Sequence, residues 1–158
     1  MRGRVTLYWV HLQWTFNVFL FLLLDWWILY RWSTWQNWTF FIFLFILLTP
    51  IVAFLLSVLL FPEHIENGYN FNQHFEVNRR WFFVLAALLP PLDFIDTALK
   101  GQQHLVAQGA IYPITIILLF VLMVIAAITS NKRYHAFFAI FFLIYILIFI
   151  SINLRILS

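Results

Sequence analysis

The stretch FFIFLFILLTPIVAFLLSVLLF, residues 40–61, decides the fold class of this chain. It runs for 22 residues without one charged side chain. An α-helix rises about 1.5 Å per residue, so roughly 20 residues cross the ~30 Å hydrocarbon core of a bilayer. A membrane β-barrel would instead need strands of roughly ten residues that alternate in polarity. The stretch therefore predicts a transmembrane helix.

The composition of the whole chain extends this prediction to its remaining segments. Of the 158 residues, 65% are hydrophobic and only 9% are charged, and the mean hydropathy is +0.94. A soluble domain carries about 25% charged residues, and a disordered chain has low hydrophobicity, so both classes are excluded. We predict an all-α, polytopic transmembrane helix bundle that forms a single transmembrane domain over residues 1–158.

Five spans are the preferred arrangement, with a polar loop at 62–79 between the second span and the third. The spans are predicted at 5–30, 38–61, 80–99, 111–129 and 135–154. We expect the first span to be retained, because polar side chains interrupt it and no small-residue cleavage site follows. In the alternative arrangement four spans cross the membrane, and residues 81–100 form an interfacial helix.

Prolines predict two interruptions in these helices. Pro90 and Pro91 lack the N–H groups that would bond the carbonyls of Ala86 and Ala87, so we expect a kink or a break there. Pro50 should bend the second span for the same reason.

The distribution of basic residues predicts the orientation. With five spans, six of the nine basic residues lie on the same side of the membrane as the N-terminus. With four spans the residues divide differently, but six of the nine again lie on that side. The positive-inside rule therefore places the N-terminus in the cytoplasm in either arrangement. The two arrangements place the C-terminus on opposite sides.

Asp93 and Asp96 are the first candidates for a functional site. On a helix they share one face, and Thr97 and Lys100 each follow one of them by four residues. A broken helix beside intramembrane carboxylates is typical of the ion sites of secondary transporters. The pattern predicts an ion or proton site at these four residues. The alternative is a structural ion pair with Lys100 near the membrane surface.

Two further groups of side chains belong to the first span and the turn after it. Polar residues on one arc of the helix predict a face packed on other helices, or a polar pathway: His11, Gln13, Asn17 and Asp25. Aromatic rings around the turn predict an interfacial belt, with a ligand-stacking cage as the alternative: Trp26, Trp27, Trp32, Trp35 and Trp38.

No residue can be assigned a catalytic role. The chain has no cysteine and contains no GxGxxG, GKS/T or GxSxG motif. Residues 62–80 hold two histidines and three glutamates, but without the spacing of zinc ligands on one helix. No basic run exceeds two residues. We predict no metal, no cofactor and no nucleic-acid partner, and an enzyme is disfavoured.

Several short motifs together resemble those of a known group of proteins. They are Leu60-Phe61-Pro62, His74-Phe75, Asn78-Arg79-Arg80-Trp81-Phe82, Leu92-Asp93, Asp96-Thr97 and Asn131-Lys132-Arg133-Tyr134-His135. Over most of its length the chain resembles small, uncharacterised multi-pass membrane proteins of bacteria. The resemblance implies a bacterial inner (plasma) membrane and transfers no catalytic residue. The element at 78–82 would be an insertion signal or a partner surface.

Three classes of function follow from these patterns. The preferred class is a multi-pass membrane protein of unknown biochemical activity that acts through the lipid bilayer, a second copy or a membrane-protein partner. The alternative is a small transporter or channel subunit that uses Asp93 and Asp96, and a water-filled cavity reaching Asp93 would favour it. The third class is a membrane enzyme or cofactor-binding protein, which convergent imidazoles would favour.

Overall fold

The computed structural model describes residues 4–34, 36–65 and 67–153. Within these ranges the regular structure is helical, apart from an isolated bridge between Thr6 and Asn70. The α-helices are α1 (Trp9–Leu29), α2 (Phe40–Ile46), α3 (Leu48–Leu60), α4 (Phe71–Ala86), α5 (Leu89–Leu99), α6 (Gln102–Ala107), α7 (Ile111–Ile128) and α8 (Lys132–Asn153). A 3₁₀ turn, Tyr30–Thr34, follows α1.

Five helical segments are long and apolar enough to cross a membrane: α1, α2 with α3, α4 with α5, α7, and α8. Their lengths run from 18 to 29 residues, which matches the thickness of the hydrocarbon core. The predicted all-α transmembrane bundle is therefore confirmed. α5 packs on α7, and together with α4 it forms the third segment.

The third segment begins earlier than the sequence predicts. A polar loop is expected over 62–79, but α4 begins at Phe71. The side chain of Asn70 caps this helix by accepting hydrogen bonds from the backbone N–H groups of Asn72 and Gln73, at 3.0 and 3.3 Å. Phe71 and Phe75 are buried on one face, while Gln73 between them is exposed. Residues 71–79 of the expected loop thus form the amphipathic beginning of α4.

Both predicted proline interruptions are present. The second segment breaks at Leu47, where the carbonyl of Ile46 has lost the donor that residue 50 would normally supply. The third segment ends as α4 at Ala86 and resumes as α5 at Leu89. Pro90 and Pro91 then occupy the first turn of α5, where no backbone donor is needed.

The tightest packing lies in the half of the bundle that contains the N-terminal end of α1. There the ring of Trp14, 2% exposed, lies 5.1–5.5 Å from the rings of Phe82, Phe83 and Phe138. These edge-to-face contacts are the preferred geometry of aromatic pairs. α1 packs on α3 and α8, and α4 packs on α3 and α7, so this aromatic core joins all the long segments.

Candidate functional site

The other half of the bundle contains a partly open cavity of about 120 Å³, with walls from all five segments. Apolar side chains supply most of these walls, among them Leu24, Ile28, Phe45, Leu119, Phe142 and Ile146. Three carboxyl groups also line it, from Asp25, Asp93 and Asp96, and we call it the acidic cavity. An apolar cavity with a few polar groups is the usual form of a small-molecule site.

Asp96 has partners on both carboxylate oxygens. Its Oδ2 forms an ion pair with Lys100 Nζ, one helical turn further on. Its Oδ1 accepts a hydrogen bond of 2.9 Å from Trp32 Nε1. The Lys100 ammonium also lies 5.3 Å from the centre of the Trp32 ring, within cation–π range. The ion pair that the sequence offers as a structural alternative is therefore present at Asp96.

Asp93 is held by a hydroxyl group and not by a cation. Tyr112 donates to Asp93 Oδ2 at 3.0 Å, and the Thr97 hydroxyl lies 2.8 Å from the same Tyr112 oxygen. A phenol has one proton, so Thr97 donates to Tyr112 when Tyr112 donates to Asp93. No described side chain forms an ion pair with Asp93.

Asp25 reaches the same cavity from α1. It is half-buried, and no ion pair or hydrogen bond to its carboxylate is found within the described ranges. It lies in electrostatic range of Asp93, Asp96 and Lys100. It lies about one turn before the end of α1. The cavity thus gathers three carboxyl groups and one ammonium, which leaves it short of positive charge.

The predicted polar face of α1 divides into two parts. Asn17 is fully buried and donates to the Ala139 carbonyl at 2.9 Å, while Gln13 donates to Asn17 at 3.1 Å. His11 donates to the carbonyl of Leu60, at the end of α3, at 2.7 Å. His11 and Asn17 thus join α1 to α3 and α8, Gln13 supports Asn17 within α1, and the fourth residue, Asp25, lines the acidic cavity.

The predicted tryptophan belt also divides. Trp26, Trp27 and Trp38 are exposed beyond or near helix ends, and their place at a membrane surface stays a prediction. Trp32 differs, because it is only 3% exposed and is bonded to Asp96 inside the bundle. The 3₁₀ turn that contains Trp32 brings this side chain back onto α5. Trp35 lies outside the described residues.

The motif at 78–82 contributes a buried arginine to a helix end. Arg79 is 9% exposed and donates to the carbonyls of Ala126, at 3.0 Å, and Thr129, and to the Ser130 hydroxyl at 3.0 Å. His135 also donates to the Thr129 carbonyl, at 3.0 Å. The last carbonyls of a helix lack partners within it, and cations stabilise that end. Two of the short motifs on which the resemblance rests, residues 78–82 and 131–135, therefore meet at the α7–α8 turn.

Two further residues of the same motif lie at the surface of the bundle. Arg80 and Trp81 are exposed, so a partner surface at the second half of the motif stays a prediction.

Burial, reinforced by the Glu76 carboxylate, raises the pKa of Tyr8 just before α1. Among the residues that the structure describes, no group of three or more histidine, aspartate or glutamate side chains is arranged to hold a metal ion.

Sequence patterns alone miss how the acidic cavity is assembled. Tyr112 and Trp32 were not expected beside Asp93 and Asp96, and Asp25 was assigned to a different surface. One signal was available, because a five-span topology places residues 25, 93 and 112 on the same side of the membrane.

Comparisons with known proteins give no further guide: no family model matches the chain, and no curated protein or solved structure is similar to it.

Proposed function

We propose that this multi-pass membrane protein binds a cation in the acidic cavity and works as a small transporter or channel subunit. The observation that carries this proposal is the position of Asp25 and Asp93, which line one cavity without an ion pair to any described side chain. Neither carboxylate is neutralised by a described cation, so a cation that enters the cavity would be attracted to both.

The charge distribution supports an orientation for this function. Six basic residues lie on the side of the N-terminus: Arg2, Arg4, Arg79, Arg80, Lys132 and Arg133. By the positive-inside rule that side is the cytoplasm, and the acidic cavity lies towards the opposite surface. In the bacterial inner membrane that we propose as its location, the cavity would accept its cation from the periplasmic side.

Partners in the membrane form part of the same proposal. Large apolar side chains are exposed on every spanning segment, as expected for contact with lipid or with neighbouring helices. The aromatic core around Trp14 fills the bundle beneath the cavity, so passage through one copy requires a conformational change. A second copy or a membrane-protein partner would supply another wall for such a path.

Charge displacement in proteoliposomes tests the proposal. The purified protein is adsorbed on a solid-supported membrane and exposed to Na⁺, K⁺, methylammonium or benzylammonium at constant ionic strength. We expect at least one cation to produce a current that the Asp25→Asn/Asp93→Asn variant abolishes. The control is Glu63→Gln, which removes an exposed carboxylate outside the cavity and should keep the current. Equal currents in all three proteins, or none with any cation, would refute the proposal.

A further inference from the structure

We infer that the cation is a hydrophobic monoamine whose apolar part has about the size of one benzene ring. This inference rests on the proposed function, and it narrows the bound species from cations in general to one chemical class. Its basis is the size of the acidic cavity and the composition of its walls, which are separate observations from the charge of the carboxyl groups.

The volume of the cavity sets the size of the ligand. The cavity measures about 120 Å³. An engineered apolar cavity of about 150 Å³ in another protein admits benzene, so the space here suits a body of about six heavy atoms. A bare metal ion would leave most of this volume empty, and a polycyclic cation would extend beyond it through the open side of the cavity.

The walls set the polarity of most of the ligand. Their deepest members are buried apolar side chains from α7 and α8: Ile116, Leu119, Met123, Phe142 and Ile146. Water gains no hydrogen bonds from such walls, whereas an aliphatic or aromatic body gains contact area with them. A hydrated inorganic cation would have to give up its water here against hydrocarbon.

The polar groups set the position of the charged end. Asp96 is already neutralised by Lys100, so the ammonium group is assigned to Asp25 and Asp93. An ammonium has three N–H donors, and a carboxylate has about four acceptor positions, of which Tyr112 occupies one at Asp93 Oδ2. The ligand would then point its charge at α1 and α5 and its apolar body towards α7 and α8.

Isothermal titration of the purified full chain in detergent, at pH 7, tests this inference with three ligands. Benzylammonium has both the charge and the body, methylammonium has only the charge, and benzyl alcohol has only the body. We expect benzylammonium to bind roughly ten- to a hundredfold more tightly than methylammonium, since burial of a phenyl group supplies that much affinity. It should also bind more tightly than benzyl alcohol, which lacks the charge that Asp25 and Asp93 attract.

Two substitutions with a shared control locate the site. Ile28→Trp fills the cavity from α1 and should abolish binding of benzylammonium, and Asp25→Asn should weaken it without removing the space. Leu23→Trp adds the same side chain at an exposed position of the same helix and should bind as the wild type does. Circular dichroism and size-exclusion profiles establish that each variant is folded.

The possible results distinguish failure of this inference from failure of the proposed cation function. If methylammonium binds as tightly as benzylammonium and Asp25→Asn removes both, the cation function stands and the hydrophobic amine is refuted. If benzyl alcohol equals benzylammonium, the cavity recognises apolar bodies alone and the inference is again refuted. If none of the three ligands binds, the hydrophobic amine is refuted, and the currents with Na⁺ or K⁺ decide the proposed function independently.

Discussion

At the scale of single residues, Arg79 offers the sharpest test of stability. It donates to carbonyl groups at the end of α7 from a buried position. A buried carbonyl that loses its donor costs about 1–3 kcal/mol. We expect Arg79→Gln to lower the free energy of unfolding by about that amount, seen as a lower midpoint of thermal unfolding in detergent.

The neighbouring arginine is a matched control for this experiment. Arg80 is exposed, so Arg80→Gln should leave the unfolding midpoint close to that of the wild type. Equal midpoints for the two variants would show that the hydrogen bonds of Arg79 contribute nothing to stability.

Lys100 gives the residue-scale prediction for the acidic cavity. Its ammonium group neutralises Asp96, so Lys100→Gln adds one unbalanced negative charge beside the binding site. We expect the dissociation constant for benzylammonium to fall severalfold at low ionic strength, and the gain to shrink as salt is added. Lys132→Gln, on the opposite side of the bundle, should change nothing. Weaker binding by Lys100→Gln would contradict this assignment of charges.

At the scale of elements, the sequence predicts four of the spanning segments well because their apolar runs are continuous. The start of α4 was missed since residues 71–79 are polar by average composition, although Phe71 and Phe75 recur at helical spacing. The proline interruptions were predictable because the missing N–H group acts locally, whatever the surroundings. Contacts such as Trp32 to Asp96 depend on how a turn folds back, and no local pattern specifies that.

At the scale of elements, we predict that the break between α4 and α5 positions the carboxylates of the cavity. With Pro90→Ala/Pro91→Ala, a continuous helix can form through residue 88 and turn Asp93 and Asp96 away from their present positions. We expect an unchanged or higher unfolding midpoint, but benzylammonium binding weaker by roughly tenfold, or about 1.4 kcal/mol. Pro113→Ala, in the first turn of α7, is the control and should alter neither quantity. Unchanged binding in the double variant would show that the break does not position the carboxylates.

At the scale of the whole molecule, topology is directly testable because the chain has no cysteine. We expect His64→Cys to react with a membrane-impermeant maleimide only after the cells are permeabilised, and Gln103→Cys to react in intact cells. Both positions are exposed. The two residues lie on opposite sides with five spans and on the same side with four. Labelling of His64→Cys in intact cells would overturn the cytoplasmic N-terminus.

The whole molecule also shows why the site was only partly predictable. Asp93, Asp96 and Lys100 lie within two turns of one helix, so their spacing alone suggested a common site. Asp25 and Tyr112 are far away in sequence and meet them only through the packing of α1 and α7 around the cavity. Such contacts depend on which helices pack against each other. The apolar surfaces of all the spans are similar, so the sequence alone does not determine these neighbours.

The two helix breaks described above have a mechanical consequence. His74 bonds the Leu59 carbonyl at 3.1 Å, which fixes a common level for α3 and α4. From that level the breaks at Leu47 and Ala87 lie about 18 and 20 Å along their helices at 1.5 Å per residue. They are therefore side by side, and bending there disrupts fewer backbone bonds than bending an intact helix. The second and third segments therefore bend more easily at this shared level than α1, α7 and α8, which are continuous helices.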